Sequence, residues 1–148
     1  MTDNAETKVK AVQQVIPMLS YRDGARALKW LAGAFGFVEL DRRIDATGRL
    51  THGEMSTGRG TIMLATPSVD YEGPRRHRTH CERARRWSEV PHIVDGVLAY
   101  VDRVDDHHER AAAAGATVLS APEGEPGHRR YRVEDIGGHR WMFCEPAD

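Results

Sequence analysis

The chain has 148 residues, a formal net charge of −1 and a charged fraction of 29%. That length suits one compact domain, able to bury roughly 70% of its unfolded surface without covalent staples. The near-neutral balance excludes the basic signature of a dedicated nucleic-acid binder, and no run of about 18 apolar residues is present to cross a membrane. Cys81 and Cys144 are too few for a disulfide framework, so a cytoplasmic, reducing setting is expected. The polar N-terminal stretch lacks the apolar core of a secretory signal, and residues 1 to about 8 read as a frayed tail.

Val12 to Leu19 is apolar enough for a strand, and Pro17 within it removes one ladder donor, which favours an edge position. Asp23 is a good N-cap for the helix that follows. Ala27, Leu28, Leu31 and Phe35 recur at helical spacing, and Gly36 stands where a helix-ending glycine belongs. Phe37–Asp41 reads as a strand, Asp45–Gly48 as a turn, Leu50–Ser56 as a strand, Thr57–Gly60 as a turn and Thr61–Ala65 as an apolar strand.

The stretch from Val69 to Gly96 carries Gly73-Pro74 and six arginines between Arg75 and Arg86. Thr79-His80-Cys81-Glu82 has the form of a capping box. A short helix from about His80 to Glu89 is expected, with Ala84 and Trp87 inward and Pro91 as its stop. Beyond it, Gly96–Val101 reads as a strand, and Asp105 or Asp106 as the cap of a helix through Ala111–Ala114 that closes at Gly115. Ala116–Ser120 is a strand, Pro122–Gly127 a loop, Arg130–Val133 a strand, Ile136–Gly138 a turn and Arg140–Cys144 the last strand.

The order strand, helix, strand, strand, strand therefore occurs twice. The helix-ending glycines Gly36 and Gly115 lie 79 positions apart, and the opening strands are offset by about the same amount. One domain over 1–148 is expected: a first module at about 12–67, an Arg-rich insertion at about 68–95 and a second module at about 96–146.

The segment Tyr131-Arg132-Val133-Glu134-Asp135-Ile136-Gly137-Gly138-His139-Arg140-Trp141 resembles the closing D-x-x-G motif of the glyoxalase, bleomycin-resistance and extradiol-dioxygenase superfamily, the vicinal oxygen chelate proteins. The resemblance extends over roughly Val15 to Glu145. It implies an α+β fold in which two βαβββ modules form a cupped, eight-stranded mixed sheet with helices on the outer face, usually as a homodimer. It also implies four metal ligands in the enzymes, one on each of four inner strands. Carried over, those positions fall at Ile16, Met63, Gly96 and Met142. None is a His, Glu or Asp, and shifting each by one residue gives Pro17, Leu64, Val97 and Phe143. Thioethers are soft ligands and the other side chains offer no donor, so no metal or other cofactor is expected, and reactions that use the metal as Lewis acid lose their support.

Other residues carry the remaining chemistry. His52 and Glu54 lie two apart on one strand and share a face; inside the cup they form a polar pair for acid–base work or ligand orientation, and on an edge they face solvent. Met18, Met63, Tyr100 and Met142 would line the cup with adaptable apolar surface suited to a planar organic ligand, unless they pack as ordinary core. Since Trp141 flanks Met142, the two face opposite sides. His77, His80 and Cys81, with His92, invite a zinc reading that matches no compact zinc spacing. The arginines of the insertion form a lid meeting an anionic group, a surface for an acidic partner at Arg75, Arg76 and Arg78, or a solvated face. His107 and His108 are expected to face solvent.

The expected function is metal-independent binding of a small organic ligand, an antibiotic or metabolite, in a cup touched by Met18, His52, Glu54, Met63, Tyr100 and Met142. The alternative is an enzyme of the same family, a lyase, isomerase or dioxygenase, using His52 and Glu54 or a shifted metal site. Neither nucleic acid nor membrane is an expected partner.

Overall fold

The computed structural model describes residue 13 and residues 15–91 and 95–147. The expected tail, Val12 and His92 lie outside the described residues. The first module runs β1 (Met18–Ser20), α1 (Gly24–Phe35), β2 (Val38–Ile44), β3 (Leu50–Ser56), β4 (Thr61–Ala65). Two short helices follow, α2 (Pro74–His77) and α3 (Glu82–Ser88). The second module runs β5 (Gly96–Tyr100), α4 (Val104–Ala113), β6 (Thr117–Glu123), β7 (Arg130–Glu134), β8 (Arg140–Cys144).

The fold is α+β with two βαβββ modules. Its eight strands divide into two four-stranded mixed sheets, ordered β1-β4-β3-β2 and β5-β8-β7-β6, with no ladder joining them among the described residues. In each sheet the first strand pairs in parallel with the last and the others are antiparallel. β1 is an edge strand, as Pro17 requires: the Pro17 carbonyl accepts from the Met63 amide while its own nitrogen donates nothing.

Alternation sorts the strand faces. Leu50, Met55, Ile62 and Leu64 of the first sheet, and Tyr131, Val133, Trp141 and Phe143 of the second, are buried in one continuous core with α1 and α4. Phe35 on α1 packs edge-on against both Trp141 and Phe143 of the other module, so the modules share their apolar faces. The opposite face of each sheet stays half open. Trp141 points into the core and Met142 to the open side, as their alternation predicts.

Asp23 caps α1, its carboxylate accepting from the Arg26 amide, and Gly36 closes it at φ 75°, a left-handed conformation that favours glycine. The caps expected elsewhere differ. Asp105 and Asp106 sit in the first turn of α4 without capping it; its free Val104 amide donates to Glu145 beyond β8. Thr79 makes no capping box: its hydroxyl donates to the Arg76 carbonyl, and Cys81 holds the N-cap position of α3 without a side-chain bond. Trp87 is 53% exposed, because α3 packs by backbone contacts and arginines and not by an apolar stripe. α3 ends at Ser88, before Pro91. β6 continues through Pro122 to Glu123, since an edge strand with register shifts tolerates the missing donor. His107 is partly buried, bonded to Tyr131 and Phe35, and His108 meets the edge of the Tyr131 ring. Aromatic packing at the module junction draws both off the solvent face.

Candidate functional site

The open faces are described by their registers. On the first sheet, Met18 lies beside Met63, Met63 beside Glu54, and Glu54 beside Asp41. On the second sheet, Leu98 lies beside Met142, Met142 beside Arg132, and Arg132 beside Ser120. Each is a row of four side chains across four strands, at cross-strand contact spacing. A second row on the second sheet is Tyr100, Cys144 and Arg130; a third is Gly96, Arg140 and Glu134.

Of the six residues expected to touch a ligand, Met18, His52, Glu54 and Met63 thus share the open face of the first sheet, and Tyr100 and Met142 that of the second. Among the described residues, none of the four main cavities is lined by members of both groups. Met18 is 79% exposed and Tyr100 48%, far too open for core packing. His52 Nε2 lies 3.8 Å from Glu54 Oε1. Asp41 joins them from β2, and one donor atom from each of the three lies within 4.8 Å of the others. The spacing of His52 and Glu54 pointed to the pair; Asp41 was hidden because a register shift in β2 sets its side chain on the same face.

The four family metal positions do not fit a divalent ion. Met63 and Met142 offer thioethers, and Ile16 and Gly96 offer nothing. Hard cations take oxygen and nitrogen donors, and the third row of the second sheet is filled by an ion cluster instead.

That cluster is the main element that the sequence did not announce. Glu134 is 1% exposed and Arg140 4%. Glu134 Oε2 accepts from Arg140 Nε at 3.0 Å, while its Oε1 accepts from Arg78 at 2.5 Å and lies 3.5 Å from Arg75. Arg140 also donates to the carbonyls of Val90 and Ser88. Arg75 donates to the Asp135 carbonyl at 2.8 Å. The insertion is therefore docked over one end of the second sheet. Of its arginines, Arg75 and Arg78 serve this docking, whereas Arg76 pairs with Glu72 on the surface. Gly138 allows the approach: a Cβ there would stand 2.5 Å from the Arg75 nitrogen. His77 and His80 stack edge to face at 5.7 Å, and His80 bonds to Glu72, so neither is gathered with Cys81 into a donor set.

Beneath the cluster, Asp135 explains the closing motif. Its buried carboxylate accepts from the amides of Gly137 and His139, from Trp141 Nε1 and from the Tyr21 hydroxyl. Burial, with the adjacent Asp135 charge, pushes the Tyr21 hydroxyl well above the usual phenol range. Since Tyr21 belongs to the first module, the motif also bolts the modules together. On the open face, burial pushes the Cys144 thiol up, while Arg130 and Arg132 pull it the other way.

A cavity of about 670 Å³ is an open groove between the start of α1 and the β2–β3 turn, lined by Arg22, Arg26 and Arg49 among others. None of the six expected residues lines it. A smaller pocket of about 200 Å³ does lie on an open face, bounded by Gly96, Leu98, Arg132 and Met142. No helix among the described residues is long and apolar enough to cross a membrane.

A duplicated βαβββ unit with one packed and one open face per sheet defines a class of α+β ligand-site folds. The family model described as Glyoxalase/Bleomycin resistance protein/Dioxygenase superfamily matches residues 13–143, and the chain belongs to that superfamily. An uncharacterized protein of Mycobacterium bovis, Mb0911c, is 30% identical over 136 residues, covering 88% of this chain and 82% of its own length. Among solved structures, TioX from Micromonospora sp. ML1 is 31% identical with a TM-score of 0.65, the match covering 92% of this chain and 98% of TioX. TnmS3, an antibiotic binding protein from Streptomyces sp. CB03234, shares the fold at 18% identity and TM-score 0.58, covering 92% of this chain and 98% of its own.

Proposed function

We propose that this chain is a metal-independent small-molecule binding protein that sequesters an organic ligand, an antibiotic or a metabolite, against the open sheet faces. The observation that carries the reading is the pair of apolar strips, Met18–Met63 and Leu98–Met142, in which Met63 and Met142 stand at two of the four positions where enzymes of the superfamily place metal ligands. Thioether and isobutyl groups there form adaptable apolar surface. The structural likeness to an antibiotic binding protein supports the same role. Each strip alone is open to solvent, so the working unit is a homodimer in which the first sheet of one copy faces the second sheet of the other and the six expected residues meet. The setting is cytoplasmic, consistent with two free cysteines.

A thermal-shift screen of aromatic natural products tests the reading, because a ligand that binds only the folded state raises Tm by mass action. Met63→Glu should abolish the shift. One tightly held divalent ion per chain in protein purified without chelator would overturn metal independence. Light scattering at two concentrations checks the dimer.

A second reading rests on Asp41, His52 and Glu54, whose two carboxylates and one imidazole suit a divalent ion. On that reading the chain is an enzyme of the superfamily working at the first sheet. Metal-dependent turnover of any substrate, lost in His52→Ala, would establish it; silence of that variant removes His52 from any mechanism.

A further inference from the structure

The open face of the second sheet holds a cation that no described residue pairs with. Arg140 is consumed by Glu134 and two carbonyls, and Arg130 lies 3.5 Å from Glu123. Arg132, partly buried at the centre of β7, makes no hydrogen bond or ion pair among the described residues. The buried carboxylate of the adjoining row, Glu134, already has three guanidinium groups on it. A partly desolvated charge without a partner costs free energy, and among the described residues no group offsets it.

The surroundings state what would. Arg132, Met142 and Leu98 form one row across β7, β8 and β5, with Tyr100 one row further on the same face. Gly96, where a Cβ would stand 3.2 Å from the Arg140 carbonyl oxygen, lines the slot beside Arg140. The pocket over this row has a volume of about 200 Å³, and a cavity of roughly 150 Å³ holds one benzene ring. A guanidinium fork at one side of an apolar slot of this size matches a ring bearing a carboxylate or sulfonate, which it grips through two parallel hydrogen bonds.

We propose that Arg132 is the anion-recognising residue of this slot and that the ligand is an aromatic compound carrying one acidic group. The proposal rests on the binding role argued above and adds the ligand's charge, which that role leaves open.

A matched pair of fluorescent probes tests it on the full chain: 1-anilinonaphthalene-8-sulfonate, an aromatic anion, and N-phenyl-1-naphthylamine, its uncharged analogue. Arg132→Gln should weaken the anion about tenfold or more, the scale of a lost charge-assisted hydrogen bond of about 1.5–3 kcal/mol, and leave the neutral probe within about twofold. Arg132→Lys should restore most of the anion's affinity, and Arg130→Gln should leave it unchanged. Leu98→Asp, at an exposed position that the core does not need, should weaken both probes. If both probes bind and Arg132→Gln leaves the anion unchanged, the proposal falls while the binding role stands. If neither probe responds to Leu98→Asp, the slot is not a ligand site and both fall. If Arg132→Gln separates the dimer in light scattering and loses both probes alike, Arg132 belongs to an interface and the proposal is overturned.

Discussion

The two modules place the same positions side by side and fill them with opposite charges. Where the first sheet reads Met18, Met63, Glu54, Asp41 across its strands, the second reads Leu98, Met142, Arg132, Ser120. The apolar half of each row is kept and the polar half is reversed. One end of the sheets differs more. In the first module the Gln13 side chain closes it, its Oε1 accepting from the Thr61 amide and hydroxyl and its Nε2 donating to the Thr61 carbonyl. In the second, Arg140 and Glu134 hold the insertion there. The duplicated backbone thus sets where side chains meet, and the substitutions at those places decide what they can do.

The largest expected effect tests the closed end. Glu134→Ala removes the one carboxylate under Arg75, Arg78 and Arg140 and strands a buried guanidinium. Breaking such a cluster costs about 3–5 kcal/mol, read as a lowered urea midpoint. The insertion should also loosen, so trypsin should cut sooner within Arg75–Arg86. Ser56, at the matching position of the first sheet, is partly buried, and among the described residues its hydroxyl accepts only from the Gly58 amide. Ser56→Ala should shift the midpoint far less and leave the trypsin pattern unchanged.

The turns give the next contrast. Asp45 and Asp135 use one device: each accepts from the amides two and four residues on, with glycine three residues on at φ 87° and 88°. Asp135 is completely buried and also satisfies Tyr21 and Trp141, whereas the Asp45 turn faces solvent. Asp135→Ala leaves buried donors unpaired and should cost about 3 kcal/mol. Asp45→Ala should produce a small midpoint shift only. Equal losses would refute the claim that the second turn bolts the modules together.

A third test uses pH. His107 accepts from the Tyr131 hydroxyl at Nδ1 (2.6 Å) and, as this bonding assigns the tautomer, donates from Nε2 to the Phe35 carbonyl (3.1 Å). Burial lowers its pKa from 6.5 to about 4. The folded state therefore prefers the neutral ring, and the unfolded chain binds the proton first. Stability from this group is complete above about pH 6.5 and is lost as pH falls towards 4, by at most about 3 kcal/mol. Leu28 stands 79 positions earlier, the same offset as the helix-ending glycines, and is buried without titrating. His107→Leu, which makes the second helix resemble the first, should flatten the acid limb of the stability profile between pH 6.5 and 4.

These contrasts show which features the sequence carries. β3, β4 and β8 match their expected bounds, because alternation on a half-buried strand is a local signal. Gly36 and the opposite facing of Trp141 and Met142 are local too. β1 is shorter than the apolar run suggested, since side-chain character does not report whether a partner strand continues. His107, Trp87 and the missing Thr79 cap depend on contacts set by the other module or by the insertion. The Glu134 cluster joins residues 56 and 62 positions from Arg78 to Glu134 and Arg140, a meeting that no spacing rule foresees. Of the site, His52 and Glu54 were readable as a pair; Asp41 and the unpaired state of Arg132 needed the registers.

The smallest expected effect is the most pointed. Glu54 and Arg132 occupy matching places in the two rows, and both are partly buried. If each serves a ligand and not the fold, removing its charge should change stability by less than about 0.5 kcal/mol, the range of substitutions outside structural networks. Only one of the two should lean towards stabilisation. Glu54 has His52 and Asp41 beside it, so Glu54→Gln should be neutral. Arg132 has no partner to lose among the described residues and a desolvated charge to shed, so Arg132→Gln should be neutral to slightly stabilising. Side chains kept for function are commonly not the ones that stability would choose. A loss above about 1 kcal/mol in Arg132→Gln, measured by urea unfolding without added ligand, would mean that the guanidinium supports the sheet, and the charge reversal between the modules would then be a matter of folding.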